Sequence, residues 1–441
     1  MKSANKAVII CIVALSVLYA ANVQWGRSNW INIIEADGRG YYAYLPAVFV
    51  YQDLNFGFYD EQENKYPGHE YDYRVAQNDR IANKYFIGTA IAMSPAFLIA
   101  HAVAGLSDAS ADGFSRVYAI AINIAGILYL FLGLFYLRKL LRLFGFIETR
   151  ISFVLVVLTF GTSLFYYAAI EPAMSHVYSF SFITAFLYFL KSFFIVPGNR
   201  SFIIMSVLFG MIFLIRPVNV LILLFIPFFA GNLQTFKNGM FFLMKERFQS
   251  AFGIFLFFCI CSIQPIVYWM QTGSFWIDSY GEEKFNWFDP HPIDFLFSYK
   301  KGLFVYTPIA FLSLLGFIQL YRKNMFKLIS LTLGLIILLY VFSSWWNWWY
   351  GGSFGSRVCV EFYALTGILL CYSFDTLKQI WLRRAFAGLM IVLMFVCQVQ
   401  VYQYRYFYIH WEKMDKERFW NVFMRLDLIR NHQNPNSDLL D

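Results

Sequence analysis

The residues of this chain that could do chemistry are two acids and a set of cations spread over its length. Asp37 lies in "EADGRGYYAYLPAVF" (35–49), an acidic pair with Glu35, shortly after the first apolar run. A carboxylate there could take the proton from an attacking hydroxyl. It also suits the start of an interfacial helix, where the helix dipole favours an acid and tyrosines mark the membrane surface. Arg39 and Tyr42 follow on the same stretch as candidates for substrate or phosphate binding. Glu171, in "IEPAMSH", is the second acid, either the N-terminal cap of a helix or a catalytic partner of Asp37. With His176, the two acids could hold a divalent cation.

The cations point to an anion, and phosphate is the anion expected at a membrane surface. Lys84 opens a helical stretch, Arg216 sits between two apolar runs in "LIRPVN", and Arg357 ends "WWNWWYGGSFGSR". Arginine binds phosphate oxygens in a bidentate fork. Gly351, Gly352 and Gly355 would let backbone approach a ligand closely. The tryptophans read in part as an aromatic belt, and their faces also suit the apolar C–H faces of sugars. His291, between prolines in D-P-H-P, and the pair Lys300–Lys301 belong to a loop covering the site.

These residues are positioned by membrane helices. The chain has 441 residues, 59% hydrophobic and 14% charged, against about 25% charged for a soluble domain. Twelve apolar runs are visible, roughly 7–24, 86–106, 115–137, 150–168, 174–194, 201–215, 217–231, 251–270, 302–320, 327–344, 358–377 and 385–404. The first resembles the start of a signal peptide but is long, with no clean cleavage site, and reads as a retained helix. If all twelve crossed, the loops 138–150, 191–200, 231–250, 321–327 and 378–384 would fall outside, with fifteen Lys and Arg among them. The positive-inside rule places such loops in the cytoplasm. Both conditions hold if 86–106, with Gly88, Ser94, Pro95 and His101, lies in the outer interface instead of crossing.

The expected fold is therefore all-α and polytopic, with about 11 transmembrane helices plus in-plane interfacial helices. Residues 1–404 form one membrane domain with its N-terminus in the cytoplasm. The outer loops are 25–114, 166–178, 271–301 and 343–357, and 405–441 is a short outer tail, partly disordered. Of 27 acids, only Glu148, Glu246 and Asp375 fall on the inner side. The net charge of +8 is explained by topology and implies no nucleic acid. The six cysteines lie in or beside spans and form neither a disulfide framework nor a zinc site. No nucleotide-binding glycine loop is present.

With these features together, the chain resembles the C-type (GT-C) glycosyltransferases, closest to the branch of lipid A aminoarabinose transferases and protein O-mannosyltransferases. The matching positions are Asp37 in A-D-G-R-G-Y-Y, Lys84 in N-K-Y-F-I-G, Arg116 in F-S-R-V-Y and Glu171 in I-E-P. The match covers mostly residues 1–230, and more loosely 343–358. Two prolines usual after the lysine are absent, Glu171 stands where an Asp is more usual, and the large C-terminal outer domain is missing. The resemblance implies an inverting transfer from a polyprenyl-phosphate sugar to an envelope lipid, glycan or protein on the outer face of the cytoplasmic membrane. Asp37 would be the base, and Lys84, Arg216 and Arg357 would hold the leaving phosphate, helped by Arg39. No cofactor is required beyond the divalent cation considered above. The rival readings are a flippase or transporter of lipid-linked sugar and a non-catalytic subunit of an envelope assembly complex.

Overall fold

The computed structural model describes residues 4–66, 72–77 and 79–430. Residues 431–441, the end of the tail expected to be disordered, lie outside the described residues. The chain is an all-α polytopic membrane protein. Among the described residues eight helices are long and apolar enough to cross a membrane, or nine if one pair bent by 118° counts as a single span.

Helix α1 (Ala4–Val23) leads to α2 (Asp37–Phe49), a short α3 (Tyr59–Lys65) and an antiparallel ribbon of β1 (Arg74–Gln77) and β2 (Arg80–Asn83). Next come α4 (Gly88–Gly105) and the long α5 (Arg116–Leu143). Two contacts fix how α4 lies. Tyr129 Oη donates to Ala92 O at 3.0 Å, and His101 Nδ1 is 2.6 Å from Tyr118 Oη. Thus α4 runs antiparallel to the first half of α5 and ends beside its start. Its own start, Gly88, rests on the backbone of Leu214 and Ile215. Although long and apolar enough to span, α4 does not reach the far end of α5.

Several of the apolar runs are interrupted. The run 150–168 forms α6 (Glu148–Phe160) and α7 (Leu164–Ala169), parted at Gly161. Then α8 (His176–Ile195) and α9 (Asn199–Ile215) form a hairpin. After Arg216 the backbone tightens into a 3₁₀ segment, Pro217–Phe225, and relaxes into α10 (Ile226–Ala230). Pro217 removes an amide donor from the helical ladder, and such a residue disrupts helix continuity. Helix α11 (Leu233–Lys245) turns sharply away, and α12 (Arg247–Cys261) and α13 (Ile263–Thr272) return. After α14 (Pro292–Phe297), the run 302–320 becomes three pieces, α15 (Leu303–Tyr306), α16 (Pro308–Ser313) and α17 (Gly316–Lys323). Helix α18 (Met325–Ser343) follows. A second 3₁₀ segment, Arg357–Phe362, runs into α19 (Tyr363–Thr376), and α20 (Ile380–Arg405) completes the bundle.

The described part of the tail, 405–430, is helical in two stretches, as a terminal helix was expected there. Helices α21 (Lys416–Val422) and α22 (Leu426–Arg430) dock on the bundle, with the Phe419 ring 5.2 Å from Tyr299 and 5.9 Å from Tyr306. Outward-facing apolar residues complete the membrane signature. Phe248, Phe252, Phe255 and Phe258 on α12 recur at helical spacing and are each half-exposed or more. An apolar face of that size is stable in hydrocarbon and a liability in water.

The two ends of the bundle differ in charge. One end gathers Arg142 with Glu148 at 2.5 Å, Arg150 with Asp375 at 2.6 Å, and Lys191, which donates to Phe229 O. The other end gathers the acids of the loops after α1, α7 and α13.

Candidate functional site

At the acid-rich end the helix breaks and loops surround a cavity of about 1200 Å³. It is lined by residues that are far apart in sequence, among them Asp37, Lys84, Glu171, His176, Arg216 and Arg357. Six of the eight sequence candidates for catalysis, phosphate or metal therefore meet in one place.

Asp37 is the first residue of α2. The residue before it, Ala36, has φ 47° and ψ −134°, a conformation a non-glycine residue holds only under constraint from its surroundings. That turn and the start of the helix aim Asp37 and Tyr41, one helical turn apart, into the cavity. Gly38 allows α2 to press onto the Glu171 turn, since a Cβ there would lie 2.8 Å from the Cβ of Ala173. Asp37 Oδ2 is 2.9 Å from Arg357 Nη1. Arg357 follows the aromatic loop, where Tyr350, Gly351 and Gly355 all have positive φ. Its buried Nε makes no hydrogen bond among the described residues.

Glu171 follows the C-cap residue Ile170 of the short α7. Tyr166 Oη donates to its Oε1 at 2.5 Å. Burial raises the pKa of this carboxyl. The Tyr166 hydrogen bond and the Arg357 charge oppose that rise, and Asp37 adds to it. Lys84 Nζ is 2.5 Å from Glu283 Oε1 and stands over the Tyr280 ring. Arg216 Nη1 is 2.8 Å from Glu361 Oε1, which also lies 3.1 Å from His176 Nδ1. Glu361 is completely buried, and its Oε2 has no hydrogen-bond partner among the described residues. Each of the three cations therefore meets the cavity with an acid already at its side.

Other expectations need correction. Arg39 and Tyr42 face away from the cavity. Arg39 pairs with Glu63 at 2.6 Å, Tyr42 Oη donates to Gly113 O, and both line a separate small space of about 50 Å³. The reason is helical: positions 39 and 42 share one side of α2, and positions 37 and 41 share the other. Arg116 starts α5, exposed, and is not among the lining residues. The metal reading also finds no support in the geometry. Among the described residues no three His, Cys, Asp or Glu side chains converge as a metal site, and Asp37, Glu171 and His176 are each engaged with a different partner. His291 lies against Trp348, outside the lining. Lys301 is buried, donates to Ser353 O, and has its pKa lowered by burial to about 7.

Several lining residues were not singled out as site candidates in the sequence. Glu35, two residues before Asp37, faces the cavity, and burial raises its carboxyl to about 7. Tyr280 and Glu283 come from the loop after α13, and Arg405 and Trp411 come from the end of α20 and the tail. Glu361 lies behind the wall and holds two lining residues in place. The closely spaced acids in "EAD" and "SYGEEK" were the signal available for Glu35 and Glu283. For Glu361 there was only a lone acid within an apolar run, which in a membrane marks function or a partner.

Comparison with protein-family models, with curated proteins and with solved structures finds no match.

Proposed function

We propose that the chain is a polyprenyl-phosphate-sugar-dependent glycosyltransferase of GT-C type acting on the outer face of the cytoplasmic membrane. The carrying observation is that Asp37, Lys84, Glu171, Arg216 and Arg357, from five separate segments, line a single cavity. In this reading an acceptor hydroxyl attacks the anomeric carbon of the donor. The new C–O bond forms as the bond to the lipid phosphate breaks, and the phosphate leaves with the bonding pair. Asp37 receives the acceptor's proton, oriented by Arg357. Arg357, Arg216 and Lys84 stabilise the departing phosphate, the larger share of the catalytic effect. Glu171, held by Tyr166, presents its second oxygen to the sugar or acceptor. The donor is already activated, so no nucleotide enters.

The orientation follows the charges. In this reading there are eleven crossings, more than the eight or nine that helix length alone supports: α1, α5, α6–α7, α8, α9, the Pro217–Ala230 segment, α12–α13, α15–α17, α18, the Arg357–Thr376 segment and α20. Helix α4 is left out because both its ends lie along the outer half of α5. The basic end then faces the cytoplasm, with the N-terminus. Gly126 of α5, which touches Pro172, is about 26 Å along the helix from Leu143. With a hydrocarbon core of about 30 Å, that length supports a cavity near the outer boundary, where the headgroup of a lipid donor would reside.

The test is transfer from undecaprenyl-phosphate sugars by purified protein, with mass spectrometry of envelope glycans and lipids from cells with and without the chain. A transporter would change the distribution of a lipid-linked sugar without forming a new glycosidic bond. A scaffold would tolerate Asp37→Asn. Either result would remove the transferase reading.

A further inference from the structure

The cavity has two unlike ends. At one, Lys84 and Arg216 stand near Phe86, Tyr268 and Trp276. The surface leading to this end is apolar: Trp269, Met270, Phe275 and Trp276 are each at least half exposed, and the Trp269 and Phe275 rings stack at 6.0 Å. A lipid chain lies comfortably on such a surface.

At the other end the lining is Asn29, Asn32, Glu35, Arg405 and Trp411. Asn29 and Asn32 are exposed and Trp411 is 42% exposed, so this end opens to water. Arg405 Nη2 donates to Gln24 Oε1 at 2.5 Å, and Gln24 Nε2 donates to Ile170 O at 2.8 Å. That chain of contacts sets the open end next to Glu171. Trp411 lies against Gly352 of the aromatic loop, 3.4 Å from where a Cβ would be. No group among the described residues hydrogen-bonds the Glu35 carboxylate, although Glu171 and Arg405 lie close enough to act on its charge.

We propose that this open end is the acceptor subsite and that its ligand is a water-borne carbohydrate, the terminal sugar of a glycan. The proposal rests on the transferase reading. Two amides, a carboxylate and a guanidinium offer paired donors and acceptors for neighbouring sugar hydroxyls. The Trp411 indole offers a flat apolar face for the C–H side of the ring. Such a combination, one aromatic surface with a few placed polar groups, fixes the orientation of a small polar ligand. A site built to hydrogen-bond hydroxyls also rejects analogues lacking them. A lipid acceptor would bring chains that this polar opening does not accommodate, whereas a free glycan arrives from the aqueous side and meets Glu171 and Asp37 beyond it.

The test uses the full chain in nanodiscs, titrated separately with a panel of short soluble oligosaccharides and with undecaprenyl phosphate. At least one oligosaccharide is expected to bind. Trp411→Ala and Glu35→Gln should each weaken that binding by about tenfold or more, roughly 1.4 kcal/mol, and leave undecaprenyl phosphate binding unchanged, which also shows that the variants are folded. Lys84→Ala should do the reverse. The proposal is overturned if no oligosaccharide binds, if the two variants bind it as the wild type does, or if acceptor peptides or lipids occupy this end instead. If the oligosaccharide results hold but undecaprenyl phosphate does not bind, the carbohydrate subsite stands and the lipid-donor reading fails.

Discussion

Asp37 and Arg357, separated by about 320 of the chain's 441 residues, form an ion pair of 2.9 Å at the wall of the cavity. Neither side chain is fully buried, at 19% and 14% exposure, so both can exchange partners with a ligand. A phosphate arriving at Arg357 would compete with Asp37 for the guanidinium and release the carboxylate toward an acceptor proton. On the transferase reading, donor binding and base activation would be coupled through this one arginine.

Removing the carboxylate charge is the most direct test of that coupling. Asp37→Asn should lower sugar transfer by about 10²–10⁴-fold, the usual worth of a positioned base. Arg357→Lys should also fail to restore activity, because a lysine cannot reproduce the guanidinium fork. Initial rates in proteoliposomes, with membrane insertion checked by protease protection, measure both.

The buried cluster behind the wall should matter for stability. Glu361→Ala leaves Arg216 without its acid and should destabilise by about 3–5 kcal/mol, as breaking one side of a buried pair does. The double variant Glu361→Leu with Arg216→Met should lose less than Glu361→Ala alone. Thermal unfolding in detergent reads both, and equal losses would contradict a pair.

Glu35 supplies a pH signature. Its carboxyl is raised from 4.5 to about 7, so between those values the folded chain holds a proton that the unfolded chain has lost. Stability should therefore fall as pH rises from about 4.5 to 7. Glu35→Gln removes that slope. Melting curves from pH 5 to 8 should show the variant gaining on the wild type by about 1 °C or more, and parallel curves would exclude the effect.

Orientation can be read by labelling. A cysteine at Ser107, in the exposed turn after α4, should react with an impermeant thiol reagent on intact cells. A cysteine at Arg322, on the basic end, should react only after permeabilisation. Native cysteines are controlled by the parent chain, in which Cys11 and Cys259 are exposed. The reversed pattern would invert the membrane orientation.

Much of this arrangement was legible in the sequence because membrane physics is blunt. Apolar length and the placement of Lys and Arg sufficed for the all-α bundle of membrane-length helices. The meeting of Asp37, Lys84, Glu171, Arg216 and Arg357 followed from expecting acids and cations to share one face. What escaped was local. Whether position 39 or 41 faces the cavity depends on where α2 begins, and that start is set by the strained turn at Ala36, which no residue type there announces. The role of Glu361 depends on Arg216 and His176 arriving from other helices. Where the helical part of the tail docks depends on Phe419 finding Tyr299 and Tyr306, partners far away in sequence.

The interrupted helices around the cavity carry a cost for any reactive sugar held there. The breaks at Arg216 and Arg357 bring polar side chains, not a closed apolar wall, to the cavity lining. On the transferase reading, a chamber that also opens beside the exposed Asn29, Asn32 and Trp411 would not protect an activated glycosyl group by dryness. Discrimination between the intended nucleophile and the solvent must come from placement, and side reaction with water should be the characteristic failure of variants that loosen that placement.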